Sequence, residues 1–260
     1  MEIVFGLLVL GFVATTIWLV LATVVTVRGL RRPPRHAMAR ALASGAPLSP
    51  EDTTWTTETW SFHAADGTEL PVWTVQGDGV GPVTVLIHEW GHSRVDWLPF
   101  VEAWRAQSPS VVIPDLRGHG DAKGFCTFGR NEIDDLVGLI QSLGTSAIRI
   151  VGCGFGGTLA LGVTATIPEA VSEVFAIKPW TPEPQALFDR LCDTGFQIRP
   201  PKLVFDYGIK FVGMDSLLTG SIPAGPTIHL QSDPGATTNG LLDRIGRDDV
   251  CFIDADTSSM

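Results

Sequence analysis

Tyrosine occurs once and cysteine four times in 260 residues, and basic residues are outnumbered by acidic ones, 18 against 28. The cysteines, Cys126, Cys153, Cys192 and Cys251, include no C-x-x-C pair. Their spacing therefore gives neither a zinc cluster nor a disulfide framework and predicts reduced thiols. A formal net charge of −10 leaves no basic surface to neutralise a phosphate backbone, which excludes nucleic acid as a partner. There is no internal repeat. What the chain has is 45% hydrophobic residues and a length suited to one α/β domain with an appendage.

The appendage is the N-terminus. Ile3 to Val27 carries no charged residue and is long enough, as a helix, to cross a hydrocarbon core of ~30 Å. A cleaved secretory signal is the competing reading. Such signals have a basic start and an apolar stretch of about 7–15 residues, whereas this one opens Met1-Glu2 and stays apolar longer. Residues 1–28 are therefore expected to be a single-pass transmembrane anchor, with the membrane as partner. Arg28, Arg31, Arg32, Arg35 and Arg40 follow the span, and this asymmetry predicts a cytoplasmic C-terminal domain, with contact to lipid headgroups as a secondary role. Residues 29–52 are basic and contain Pro33, Pro34, Pro47 and Pro50, which predicts a linker or tether. The globular domain is expected over 53–260.

Within that domain, Thr56–Phe62 and Leu70–Val75 flank Ala65-Asp66-Gly67-Thr68 and predict a hairpin. Val83–Ile87 is a continuous apolar run of the kind a doubly buried strand shows, and Val95–Trp104 has helical periodicity. Strands at 110–114, 147–151 and 174–177 then alternate with helices at 131–143 and 155–165. Residues 180–225 give no firm pattern. A strand at 227–230, part of a helix at 240–245 and a strand at 250–253 complete the order. This alternation predicts an α/β fold, a mostly parallel sheet with helices on both faces, with ligands bound in the loops beyond the strand carboxyl ends.

Those loops carry specific motifs. Ile87-His88-Glu89-Trp90-Gly91, Asp115-Leu116-Arg117-Gly118-His119-Gly120, Gly152-Cys153-Gly154-Phe155-Gly156 and Ser232-Asp233-Pro234 follow one another in the order and spacing of the α/β-hydrolase family. The chain resembles that family from about Thr56 to Ile253. The resemblance implies an oxyanion turn at His88, Glu89 and Trp90, a nucleophile elbow at Gly154, an acid turn at Asp233, and hydrolysis of ester or amide bonds by a Ser-Asp-His triad.

The chain departs from the family pattern at three of these positions. Glu89 stands where a glycine is expected and Gly154 where the serine belongs. The last strand and its sequel, Val250 to Met260, contain no histidine, so the third triad position falls at Thr257. Only Asp233 survives. Glycine at the elbow keeps a turn whose strain costs about 1–3 kcal/mol for other residues. The backbone N–H groups of Phe155 and of Glu89 or Trp90 remain as oxyanion-type donors, because they do not depend on the missing side chains. No cofactor is expected. The expectation is a degenerate member that binds a small-molecule or protein ligand. The alternative is an active hydrolase or esterase using Cys153 or a water activated by His92 or His119.

Two decoys have simpler explanations. Cys153 precedes the nucleophile position, where the side chain should point elsewhere and be inert. His88-Glu89-Trp90-Gly91-His92 matches H-E-x-x-H, but zinc binding by that motif requires a helix, and the β-branched run before it predicts a strand-to-loop turn. His119, His63 and His229 are read as structural or surface residues.

Overall fold

The computed structural model describes residues 1–180, 184–213, 225–231 and 251–252. An eight-stranded sheet organises the domain: β1 (Thr57–His63), β2 (Glu69–Gln76), β3 (Val83–Ile87), β4 (Ser110–Pro114), β5 (Ile148–Cys153), β6 (Val171–Ile177), β7 (Thr227–Gln231) and β8 (Cys251–Phe252), in the spatial order β1-β2-β4-β3-β5-β6-β7-β8. β1 and β2 pair antiparallel, and β2 is antiparallel to β4; every pairing from β4 through β8 is parallel. The hairpin closes at Asp66-Gly67, where the Asp66 carboxylate accepts from the Thr68 N–H at 3.0 Å. Each predicted strand is present.

The helices are α1 (Glu2–Leu30), α2 (Ala37–Ser44), α3 (Val101–Arg105), α4 (Glu132–Ser142), α5 (Phe155–Thr166), α6 (Pro184–Asp193) and α7 (Lys202–Val212). The single helix expected over 95–104 is divided into a 3-10 segment, Arg94–Phe100, and α3. Pro99 lies inside the first piece, where it removes a backbone donor and clashes with the preceding turn of an α-helix. The segment over 180–225 that gave no pattern holds α6 and α7. The helix expected at 240–245 lies outside the described residues.

Two apolar layers sandwich the sheet. Leu136, Leu139, Ile150, Phe155 and Leu159 belong to one. Leu86, Trp97, Leu98, Val101 and Val151 belong to the other. β5 alternates between them, with Ile150 facing the first and Val151 and Cys153 the second, as the two-residue period of a strand requires.

The N-terminal helix is joined to the domain at its last turns. Thr26 and Leu30 are fully buried, and the Leu30 carbonyl accepts from the Trp90 indole N–H at 3.1 Å. Residues 33–52, read from sequence as a tether, lie against the domain: Ala37 and Ala41 of α2 are buried, and Arg40 forms a bidentate pair with Asp96 at 3.0 and 3.1 Å. Proline and arginine content alone does not distinguish a solvated linker from a docked one.

Candidate functional site

The loops after β3 and β5 meet above the sheet. β5 ends at Cys153, Gly154 turns the chain at φ 54° and ψ −116°, and α5 begins at Phe155. This strand–turn–helix geometry requires a positive φ at its apex, which glycine tolerates without strain. The flanking glycines serve close approach. A Cβ on Gly152 would overlap the Gly156 carbonyl, and one on Gly156 would overlap the Ile87 and His88 carbonyls. The pattern of glycines thus lets β3, β5 and α5 touch backbone to backbone.

Above Gly154 lies a carboxylate. Oε1 of Glu89 accepts from the Phe155 N–H at 2.7 Å and from the Trp90 N–H at 3.1 Å. A Cβ built on Gly154 would overlap the Glu89 carboxyl group. The Phe155 and Trp90 N–H groups are thus both engaged by one side-chain oxygen, at the positively polarised start of a helix. The other oxygen, Oε2, accepts from Arg190 Nε and Nη2 at 3.2 and 3.1 Å. Arg190 comes from α6, 101 residues further along the chain. Glu89 is 4% exposed. Burial pushes its carboxyl above the usual range, against the opposing pull of Arg190 and the two N–H groups.

The neighbouring histidines are held by backbone. His88 Nε2 accepts from the Leu116 N–H at 3.0 Å, so Nδ1 carries the proton and donates to the Glu89 carbonyl at 2.8 Å. Both ring nitrogens are thus occupied. His119 Nδ1 lies 3.0 Å from the Arg117 carbonyl, and its ring stacks on Phe155 at 6.4 Å. Its Nε2 has no hydrogen-bond partner among the described residues. Burial lowers the basicity of both rings, His119 the more strongly. His92 is held down to about 4 by burial, with Asp96 pulling the other way. The segment 88–92 is a loop and turn, not the helix that two histidines four apart would need to share a metal.

Of the other residues singled out from sequence, Cys153 packs with Val151 on the sheet face opposite Phe155. Asp233 and Thr257 lie outside the described residues. Trp90 is buried and turns its indole toward α1. Arg190 escaped the sequence reading because it lies in the segment that gave no pattern. The signal that pointed toward it was Glu89 itself, an acidic residue in a turn expected to hold glycine, and a buried carboxylate calls for a cationic partner.

The asparagine-free turn of residues 115–120 supports the same region. The Asp115 carboxylate accepts the Arg94 and Asp121 N–H groups at 2.8 and 2.9 Å. Arg117 makes a bidentate pair with Asp135 at 2.7 and 2.6 Å. These side chains fix the loop that carries His119.

Comparison with known proteins agrees with this architecture. A pimeloyl-[acyl-carrier protein] methyl ester esterase of Aliivibrio salmonicida is 29% identical over 102 residues, 39% of this chain and 38% of that protein. A 2-hydroxy-6-oxononadienedioate/2-hydroxy-6-oxononatrienedioate hydrolase of Burkholderia vietnamiensis is 30% identical over 116 residues, 42% of this chain and 40% of that protein. The chain thus matches less than half the length of either relative. Among solved structures, an esterase of Pyrococcus furiosus superposes with a TM-score of 0.63 at 16% identity, covering 86% of this chain and 87% of the other. Brefeldin A esterase, a bacterial homologue of human hormone sensitive lipase, gives 0.54 at 20% identity, covering 83% and 75%. At these identities the superpositions speak to fold alone. The sequence model of the alpha/beta hydrolase family matches residues 84–246, which takes in the β3 turn, the Gly154 elbow and the sheet between them. With that match over most of the chain, and with strand order and elbow geometry in agreement, this protein belongs to the alpha/beta hydrolase family.

Proposed function

We propose that this chain is a membrane-anchored family member that does not hydrolyse esters, and that it acts by binding a ligand or partner. One observation carries the reading: the Glu89 carboxylate occupies the two oxyanion donors directly over Gly154. A substrate carbonyl oxygen needs those same N–H groups, and Gly154 offers no nucleophile. Displacing Glu89 would leave the buried Phe155 and Trp90 N–H groups without their acceptor, at a cost of about 1–3 kcal/mol for each buried group left unsatisfied.

The anchor reading rests on α1, which is long and apolar enough to cross a bilayer. Burial of Thr26 and Leu30 against the domain favours retention of this helix over removal as a signal, since cleavage would expose the surface they cover. The arginines that follow it favour a cytoplasmic domain.

The test is hydrolysis of short-chain p-nitrophenyl esters by the full chain in detergent, beside Cys153→Ala. The expected result is no turnover above the buffer rate for either protein. Turnover abolished by Cys153→Ala would make the protein a thiol hydrolase and overturn the reading.

A further inference from the structure

The surface between α1 and α7 is unlike the rest of the molecule. Leu19, Val20, Val24 and Val27 of α1 form one wall of a groove of about 710 Å³, and Leu203, Tyr207 and Phe211 of α7 form the other. That volume is within the range of about 300–1,000 Å³ typical of small-molecule sites. The α7 residues lie four apart, on one stripe of the helix. They are 59%, 62% and 75% exposed, a large apolar surface for water but an ordinary one for lipid. The opposite face of α7 is packed against the domain and α1, with Val204, Phe205, Gly208 and Ile209 buried. Gly208 permits the close crossing, since a Cβ there would come within 3.3 Å of Thr26.

One end of this groove is cationic. Arg28, Arg31 and Arg32 all line it, and none makes an ion pair with a carboxylate among the described residues. The guanidinium groups of Arg31 and Arg32 lie over the Phe125 ring at 5.6 and 4.9 Å, a contact that orients them without neutralising them. In a chain of net charge −10, three arginines at the end of an apolar channel are a local inversion of sign.

We propose that this groove binds one anionic phospholipid of the bilayer, with its phosphate on Arg28, Arg31 and Arg32 and an acyl chain between α1 and α7. The inference rests on α1 lying in a membrane. Charge complementarity selects the headgroup, because a neutral zwitterionic lipid places a choline beside the phosphate and loses much of the attraction. The apolar walls select a membrane lipid over inorganic phosphate, which would leave the channel between Val24 and Phe211 empty.

The test is reconstitution of the full chain in vesicles of phosphatidylcholine and phosphatidylglycerol, flotation, then gentle extraction and native mass spectrometry of retained lipid. The expected result is co-flotation and one retained lipid per chain, with phosphatidylglycerol favoured at least about ten-fold, since each arginine near a headgroup contributes favourably. Arg28→Gln/Arg31→Gln/Arg32→Gln should reduce the preference to about two-fold or less. Val24→Trp, which fills the apolar channel from an exposed position and leaves the arginines intact, should lose the bound lipid. A chain that floats but retains both lipids alike, or retains phosphatidylglycerol regardless of either change, overturns the groove proposal and leaves the anchor standing. A chain that floats with neither vesicle overturns both.

Discussion

The Glu89 carboxylate fills the volume that a side chain on Gly154 would need. The two departures from the family pattern are thus one structural event. A glycine at 154 makes room for the carboxylate, and the carboxylate satisfies the Phe155 and Trp90 N–H groups beside it. Gly154→Ser alone is therefore expected to destabilise the domain by about 2–4 kcal/mol, combining backbone strain at positive φ with displacement of a paired carboxylate. Glu89→Gly in the same chain should recover part of that loss, with a coupling of about 1–3 kcal/mol in a double-mutant cycle. Additive effects, measured by denaturant unfolding in detergent, would show that the two positions do not share the space.

Arg190 favours the ionised form of Glu89. Because burial raises the folded-state pKa of this carboxyl, the folded state holds its proton to higher pH than the unfolded chain does. The associated stability is present below the unfolded pKa and is lost as pH rises through the folded one. Arg190→Gln removes a group that limits this loss. The variant should be more destabilised near about pH 7 than near about pH 4.5, where the carboxyl is closer to neutral in both states. An equal deficit at the two pH values, read from thermal midpoints, would argue that the arginine acts by packing alone.

The buried histidines act at the other end of the scale. His88, His92 and His119 all have folded-state basicity lowered by burial, His92 to about 4. For a base lowered in this way the unfolded chain takes up protons first, so stability is present above the unfolded pKa of about 6.5 and declines as pH falls below it. The decline should begin near about pH 6.5 and continue to about 4. Asp66 and Glu69, lowered in the folded state chiefly by hydrogen bonds to Arg117 and Ser61, and Asp96, where the upward push of burial is outweighed by the Arg40 hydrogen bond together with the other favourable contacts around it, contribute a separate loss at more acid pH. His119→Gln should flatten the first part of the curve and leave the second unchanged. A stability profile level between about pH 6.5 and 4.5 would contradict the buried-neutral assignment.

How much of this was legible in sequence follows from the range of the interactions. The strands showed themselves because β-branched runs such as Val83–Ile87 report burial on both faces locally. The elbow was legible because Gly152, Gly154 and Gly156 are dictated by close backbone approach and a positive φ. The plug was half legible. Glu89 stood out as an acid in a glycine position, but its partner Arg190 lies 101 residues away, on a helix that begins at Pro184 in a proline-rich stretch. Helix α7 was missed because its exposed Leu203, Tyr207 and Phe211 add apolar residues to the face turned from the domain, blurring the one-sided pattern by which a soluble helix is recognised. Docking of residues 33–52 depends on pairs such as Arg40–Asp96, which composition cannot reveal.

Trp90 joins this plugged turn to α1. Its backbone N–H binds Glu89 and its indole N–H binds the last carbonyl of α1 at Leu30, one of the terminal carbonyls that a helix cannot satisfy internally. Trp90→Phe keeps most of the apolar volume and the backbone donor while deleting the indole bond. The buried Leu30 carbonyl then lacks that donor, at a cost of about 1–3 kcal/mol. The loss should be felt locally, because the junction after Leu30 runs through Arg31, whose bond to Arg32 trypsin can cut, whereas the Arg32–Pro33 bond resists it. Limited trypsin digestion of the full chain should therefore cut after Arg31 several-fold faster in the variant, roughly as expected for a local opening made about 1–2 kcal/mol easier. Cleavage at the wild-type rate would mean that the packing of Thr26 against Gly208 and of Gly29 against Ile198 holds the junction without the indole bond.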